Sequence, residues 1–223
     1  LAPLVADLPD GTIPAAVAWL GAAVLSDALA AEIGQSTARI SELVRSIKDY
    51  SYMDRAPEQE VDVREGLETT LRILAHKLRG VTVERDYAPD LPPIAAYASA
   101  LNQVWTNLLD NAVDALNGTD APRIVVRAEP IDDGVRVEIA DNGPGIPPAV
   151  RERIFEPFFT TKPQGQGTGL GLDTSYRIIV GQHGGTLTFT SQPGETRFAA
   201  TLPARFPGAS DQANASDQAK VAD

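Results

Sequence analysis

Asn107 and Asn111, in Asn107-Leu-Leu-Asp-Asn111-Ala, place two carboxamides four residues apart, on one face if the segment is helical. A carboxamide oxygen is a hard, neutral ligand, and magnesium takes few ligands from protein when phosphates and water complete its octahedron. Farther along stands Asp141-Asn-Gly143-Pro-Gly145-Ile146 at the end of an apolar run. A carboxylate there could accept from the N6 amino group of adenine, where guanine would present another acceptor. The two glycines let the backbone turn sharply beside the base. Third comes Gly167-Thr168-Gly169-Leu170-Gly171-Leu172, at the start of a helical pattern. Free N–H groups at a helix start receive phosphate oxygens. Together the three segments describe a pocket for ATP with Mg2+.

Each segment alone has an ordinary reading: polar helix surface, an Asp-Asn-Gly turn, or a glycine loop. The third is not a P-loop, because no Gly-Lys follows, and no compact βαβ unit makes it a Rossmann fingerprint. Lys162 is either the side-chain cation for the phosphates or a solvated loop lysine. Asp114, three residues after Asn111, either touches a metal-bound water or is solvated.

These groups need elements to hold them. Residues 97–117 have apolar Leu101, Val104, Trp105, Leu108, Ala112 and Leu116 at helical spacing, ending near Gly118. Strands are predicted over 81–87, 123–129, 135–141, 186–190 and 196–202, with Asp132-Asp133-Gly134 as a hairpin turn. A helical turn is expected at 148–154 and a helix over 170–180. Asp62 and Glu65 form a potential capping box for a helix running to about Arg79. Prolines 89, 92 and 93 predict a loop, and Pro57 to Glu60 a linker. The pattern is α+β, with helices on one face of a mixed sheet.

Upstream, three prolines over residues 1–14 predict an irregular lead-in. Ile33, Ile40 and Ile47 recur at seven, with Leu43 and Tyr50 three after the last two, in a helix expected from Val24 to Arg55. Such a seam either packs on its own domain or oligomerises. We divide the chain into a helical dimerisation segment (1–56), an ATP-binding domain (57–206) and a disordered tail (207–223), the tail being rich in Ala, Ser, Asp and Gln. The net charge of −11 argues against nucleic acid and anionic membranes. There are no cysteines, which excludes disulfides and thiolate metal sites, and no apolar stretch reaches the ~20 residues of a membrane span. A cytoplasmic location is expected. The start at Leu1 leads us to expect a fragment of a longer protein.

The motif order, with Phe155-Glu-Pro-Phe-Phe159-Thr160-Thr161-Lys162 between the second and third segments, resembles the ATP-binding domain of sensor histidine kinases. That family lies in the superfamily containing gyrase, Hsp90 and MutL. The resemblance covers roughly residues 60 to 205 and implies the Bergerat ATP-binding fold, a two-layer α/β sandwich. It assigns the metal to Asn111 and the catalytic roles to Asn107, Asn111 and Lys162. Asn107 stands where hydrolysing relatives carry a glutamate base, and an amide cannot take a proton from water at neutral pH. The resemblance puts Asp141, Gly143, Gly145 and Ile146 at the base. It makes Phe155, Phe158 and Phe159 anchors of a mobile lid over ATP, a role compatible with core packing, with Thr160 and Thr161 in the lid segment 160–168, and sets Gly167 through Leu172 at the phosphates. Thr196 and Phe198 match an altered terminal motif near the adenine.

The implied activity is transfer of the γ-phosphate of ATP to a histidine, for relay to a response regulator, by a homodimer joined through its N-terminal helix. The chain has two histidines, and neither stands in an acceptor pattern: His76 is followed by Lys, and His183 lies in His-Gly-Gly at a helix end. The acceptor is therefore expected outside this chain. Two other functions remain: an ATPase of the same superfamily, and a nucleotide-binding regulatory module without catalysis.

Overall fold

The computed structural model describes residues 16–27, 29, 58–163 and 167–205. Two compact units divide the chain, Leu1–Ser51 with Lys162–Gly167, and Tyr52–Thr161 with Thr168–Asp223. In the first, residues 16–27 form helix α1, which begins upstream of the helix start expected at Val24. Its Val17, Trp19, Leu20, Val24 and Leu25 are exposed. The heptad seam from Ile33 to Tyr50 and the expected tail at 207–223 lie outside the described residues. No helix among the described residues is long and apolar enough to cross a membrane.

The second unit carries strand β1 (Gln59–Val61), helix α2 (Val63–Ile73), strands β2 (Thr82–Tyr87) and β3 (Ile94–Ala96), and helix α3 (Ala98–Ala115). Strands β4 (Arg123–Ile131) and β5 (Gly134–Asp141) follow. Next come a 3-10 turn at Pro148–Arg153, helix α4 (Gly171–Tyr176), and strands β6 (Thr186–Gln192) and β7 (Glu195–Pro203). The main sheet runs β2-β4-β5-β7-β6, with β2 and β4 parallel and the other neighbours antiparallel. This is the expected α+β two-layer arrangement.

Alternation along the central strands sorts the two faces. Ile124, Val126 and Ala128 of β4, Val135, Val137 and Ile139 of β5, and Phe198, Ala200 and Leu202 of β7 are buried. They meet Leu101, Val104, Trp105, Leu108 and Leu109 of α3 in one core. Each such Val, Leu, Ile or Phe side chain contributes about 1.5–3 kcal/mol by leaving water. The opposite face is charged. There Glu138, 5% exposed, accepts from Arg127 at 3.1 Å and Arg136 at 3.3 Å, and pairs with Arg197 at 3.1 Å. A groove of about 190 Å³ on this face is lined in part by Arg123, Arg127, Glu138 and Arg197. It reaches Asp141 only at the strand's end; by alternation the Asp141 side chain lies on the inner face, with Ile139.

Helix α2 starts as expected at Asp62, which accepts from the Arg64 N–H at 2.9 Å. The second partner is Arg64 rather than the predicted Glu65: the guanidinium binds the same carboxylate at 2.7 Å and holds its pKa below the usual range. Glu65 contributes a first-turn negative charge, favourable at a helix start. The α-helix ends at Ile73, short of Arg79, because Leu74–His76 tightens into a 3-10 turn before Gly80 at φ +84°. Gly66 lies in the helix interior where a Cβ would stand 2.6 Å from Asn102 Oδ1 on α3, so a glycine lets the two helices approach. The expected linker instead supplies β1, while prolines 89, 92 and 93 lie in the expected loop and β3 follows it, pairing with β1 over Gln59↔Ala96 to Val61↔Ile94. Pieces of three residues carry no readable period.

Candidate nucleotide site

The amides project from α3, beside its buried stripe, and both Asn107 and Asn111 are half-buried. Asn107 Nδ2 donates to the Gly171 carbonyl at 3.0 Å and to Ser175 Oγ at 3.3 Å. Ser175, fully buried, donates its own hydroxyl proton to that carbonyl at 2.9 Å. Asn107 therefore ties the amide-bearing helix to the helix that opens after the glycine loop. A Cβ at Gly171 would sit only 3.6 Å from Asn107 Oδ1, an ordinary contact. Asn111 lies one turn farther on, and Asp114 is exposed in the last turn. Lys77 holds Asp110, between the two amides, at 3.0 Å.

Asp141 closes β5 on the inner face and is 6% exposed. Burial pushes its carboxyl up to about 6, opposed by the Gly143 N–H, which donates to Oδ1 at 2.9 Å. Gly143 fits because a Cβ there would lie 2.8 Å from Asp141 Oδ1 and 3.0 Å from the Ala115 carbonyl. Gly145, at φ +83°, passes where a Cβ would be 2.6 Å from the Gln192 carbonyl. The turn thus lies against the β6–β7 hairpin, where Gly194 N donates to Gly143 O at 2.9 Å. Thr196, buried, is the register partner of Asp141 on β7.

The aromatic segment divides by role. Phe155 packs on Tyr176 at 5.4 Å and Phe189 at 6.0 Å between ring centroids. Phe159 lies partly in the core, with the Arg153 guanidinium 4.4 Å from its ring centroid. Phe158 is 65% exposed and held at φ +66°; its N–H donates to the Gly169 carbonyl at 2.9 Å. Gly169 itself has φ +68°, and a Cβ there would stand 2.7 Å from the Phe158 carbonyl oxygen. Gly169→Ala is therefore expected to cost roughly 1–3 kcal/mol in urea unfolding. Gly181→Ala, inside the helical segment and with nothing within 4 Å of the added carbon, should instead stabilise the fold by about 0.5–1 kcal/mol.

Ile146 and Leu172 pack partly against the core; Leu170 and Thr168 are half-buried, and Thr160 and Thr161 exposed. Lys162 and Gly167 fall in the first unit. The second unit thus brings together Asn107 with Gly171, Asp141 with Gly143 and Thr196, and Phe158 with Gly169. Among the described residues no three His, Asp or Glu side chains converge on a metal site.

The model of the histidine kinase-, DNA gyrase B- and HSP90-like ATPase family matches residues 96–205. The solved catalytic domain of the histidine kinase ThkA aligns with a TM-score of 0.61 at 30% identity, over 67% of this chain and 97% of that one. The chain belongs to this ATPase family. Sensor kinase CckA of Brucella abortus is 37% identical over 187 residues, 77% of this chain and 20% of CckA. ThkA in complex with response regulator protein TrrA aligns at 25% identity with a TM-score of 0.63, over 76% of this chain and 48% of that one. The chain spans about half or less of the length of the curated relatives it matches.

Within this ATPase-family domain, several positioning residues escaped the sequence reading. Asn142 fastens the Asp141 turn: its Oδ1 accepts from Arg123 N at 2.7 Å and its Nδ2 donates to Ala121 O at 3.0 Å. Arg151 donates to the carbonyls of Ile146 at 3.0 Å and Ser191 at 2.7 Å. Main-chain carbonyls give such arginines no sequence signature. Ser191 had one: Leu187, Phe189 and Ser191 share a strand face, so a hydroxyl ends an apolar row. His183 is buried, with Nδ1 2.8 Å from the Ile178 carbonyl and Nε2 accepting from Tyr97 N at 3.2 Å. Burial lowers its pKa, which favours the neutral ring these bonds require. The helix after α4 widens into a π-turn over Arg177–Gln182, where the α-helix was expected to continue to Val180.

Proposed function

We propose that this chain is the phosphoryl-donating core of a sensor histidine kinase, binding ATP with Mg2+ and passing the γ-phosphoryl group to a histidine outside the residues present here. The observation that carries this reading is Asn107. A hydrolysing site needs a carboxylate beside the phosphates to take a proton from water; the resemblance puts the amide Asn107 at that position, and its Nδ2 donates to Gly171 and Ser175. Phosphoryl transfer needs positioning and charge neutralisation more than proton abstraction.

Each residue has a share in that work. Asp141 accepts from the adenine amino group, beside its register partner Thr196. The backbone from Thr168 to Gly171 receives phosphate oxygens. Asn111 offers one neutral oxygen, a donor that fits a magnesium ion coordinated mostly by phosphate and water. Bound there, the ion would neutralise triphosphate charge that an acidic chain does not itself balance.

The phosphohistidine would pass its group to an aspartate of a response regulator, as the ThkA–TrrA complex supports by analogy. We place the protein in the cytoplasm as a homodimer joined through its N-terminal helices. The exposed apolar residues of α1, with Trp19 at 71%, support such association. Incubation with γ-labelled ATP, Mg2+ and a separately expressed histidine-bearing helix should place label on that helix. Label released as free phosphate would indicate an ATPase, and label on neither a binding module.

A further inference from the structure

Ser191 on β6, Thr196 on β7 and Asp141 on β5 are successive register partners across three neighbouring strands. Directly paired residues of antiparallel strands share a face, so the two hydroxyls and the carboxylate form one polar row. At the β6 end, Ile146 N–H donates to Ser191 Oγ at 2.7 Å, and Ser191 Oγ lies 3.0 Å from Thr196 Oγ1. A serine oxygen that receives an N–H still has its own proton to place. Thr196 Oγ1 is an acceptor within reach, and either hydroxyl could be the donor of that bond. With Ser191 donating, the protons run from Ile146 N–H to Ser191 to Thr196 and leave the Thr196 proton to be donated onward.

Adenine presents an amino donor at N6 beside an acceptor at N1, the complement of a carboxylate next to a hydroxyl donor. Guanine presents an acceptor and then a donor, mismatched at both positions. We propose that Ser191 is a positioning residue for base selection: it orients the Thr196 hydroxyl to donate to N1 of adenine while Asp141 accepts from N6. This rests on the nucleotide reading above and adds to it a residue that touches no ligand.

The test is titration of the 223-residue chain with ATP and with 1-deaza-ATP, which lacks the N1 acceptor, using wild type, Ser191→Ala and Ser191→Thr. Wild type should bind 1-deaza-ATP about tenfold more weakly than ATP. Ser191→Ala should lose about tenfold for ATP and almost nothing for 1-deaza-ATP, and Ser191→Thr should behave as wild type. An equal loss for both nucleotides would mean that Ser191 only anchors the Ile146 backbone, and would overturn the proposal. So would undiminished ATP binding in Ser191→Ala, or failure of the threonine to restore it. Wild-type protein that bound neither nucleotide would defeat the nucleotide reading itself, a result distinct from all of these.

Discussion

Asn111→Ala should abolish magnesium-dependent ATP binding while leaving the protein folded. The side chain stands half-buried on α3, outside the stripe of Leu101, Val104, Leu108 and Ala112 that packs into the core. Alanine at that position is a better helix former than asparagine, so the helix itself tolerates the change. What disappears is the one protein oxygen assigned to the ion. Isothermal titration with and without Mg2+ should show an affinity loss of about 100-fold or more with the ion present, and little difference between variant and wild type without it. Circular dichroism should match wild type. Unchanged affinity in Asn111→Ala would remove the metal from this helix.

Asp141→Asn should weaken ATP binding severely and, at the same time, stabilise the empty protein. Burial raises the folded-state pKa of Asp141 from 3.8 to about 6. A carboxyl raised on folding binds its proton more tightly in the folded chain. Stability from this group is therefore full below the unfolded value near 4 and falls as pH rises to 6. Above 6 both states are ionised and the fold carries a buried charge, at a cost of roughly 2–3 kcal/mol. Asparagine has no charge to bury and keeps an oxygen for the Gly143 N–H. Thermal melts at pH 8 should place the variant several degrees above wild type, and the gap should close as pH falls toward 4. An amide can also turn its nitrogen toward the adenine amino group, donor against donor, so titration calorimetry at pH 8 should show at least about tenfold weaker ATP binding. A variant that melted below wild type at pH 8 would show that Asp141 holds structure rather than a base.

Much of this was legible because the relevant periods are local. The amides of Asn107 and Asn111 lie one turn apart on a helix whose buried stripe could be counted. Asp141 stood at the end of an alternating strand. The glycines announced their turns, although which neighbour each one admits, such as Asn102 beside Gly66, became visible only in the fold. What stayed hidden depends on register between distant segments. The pairing of Ile146 with Ser191 joins a turn to a strand whose partner and frame are set by β7, and no local pattern encodes that frame. Asn107 read as a ligand group or a surface amide but not as a tie between helices, because its bond to Gly171 joins segments far apart in sequence. The widened turn after Tyr176 had no signal either, since Arg-Ile-Ile-Val reads as ordinary helix.

The bonds at Asn107 and His183 have a mechanical consequence when taken together. His183 accepts from the first turn of α3 at Tyr97, and Asn107 reaches Gly171 from farther along the same helix. The two fastenings stand about 15 Å apart along the axis. One alone would act as a pivot and allow scissoring; a pair so separated resists shear and rotation together. Helix α3 and the segment from Gly171 to His183 are consequently fastened at two points, which favours their moving as one body.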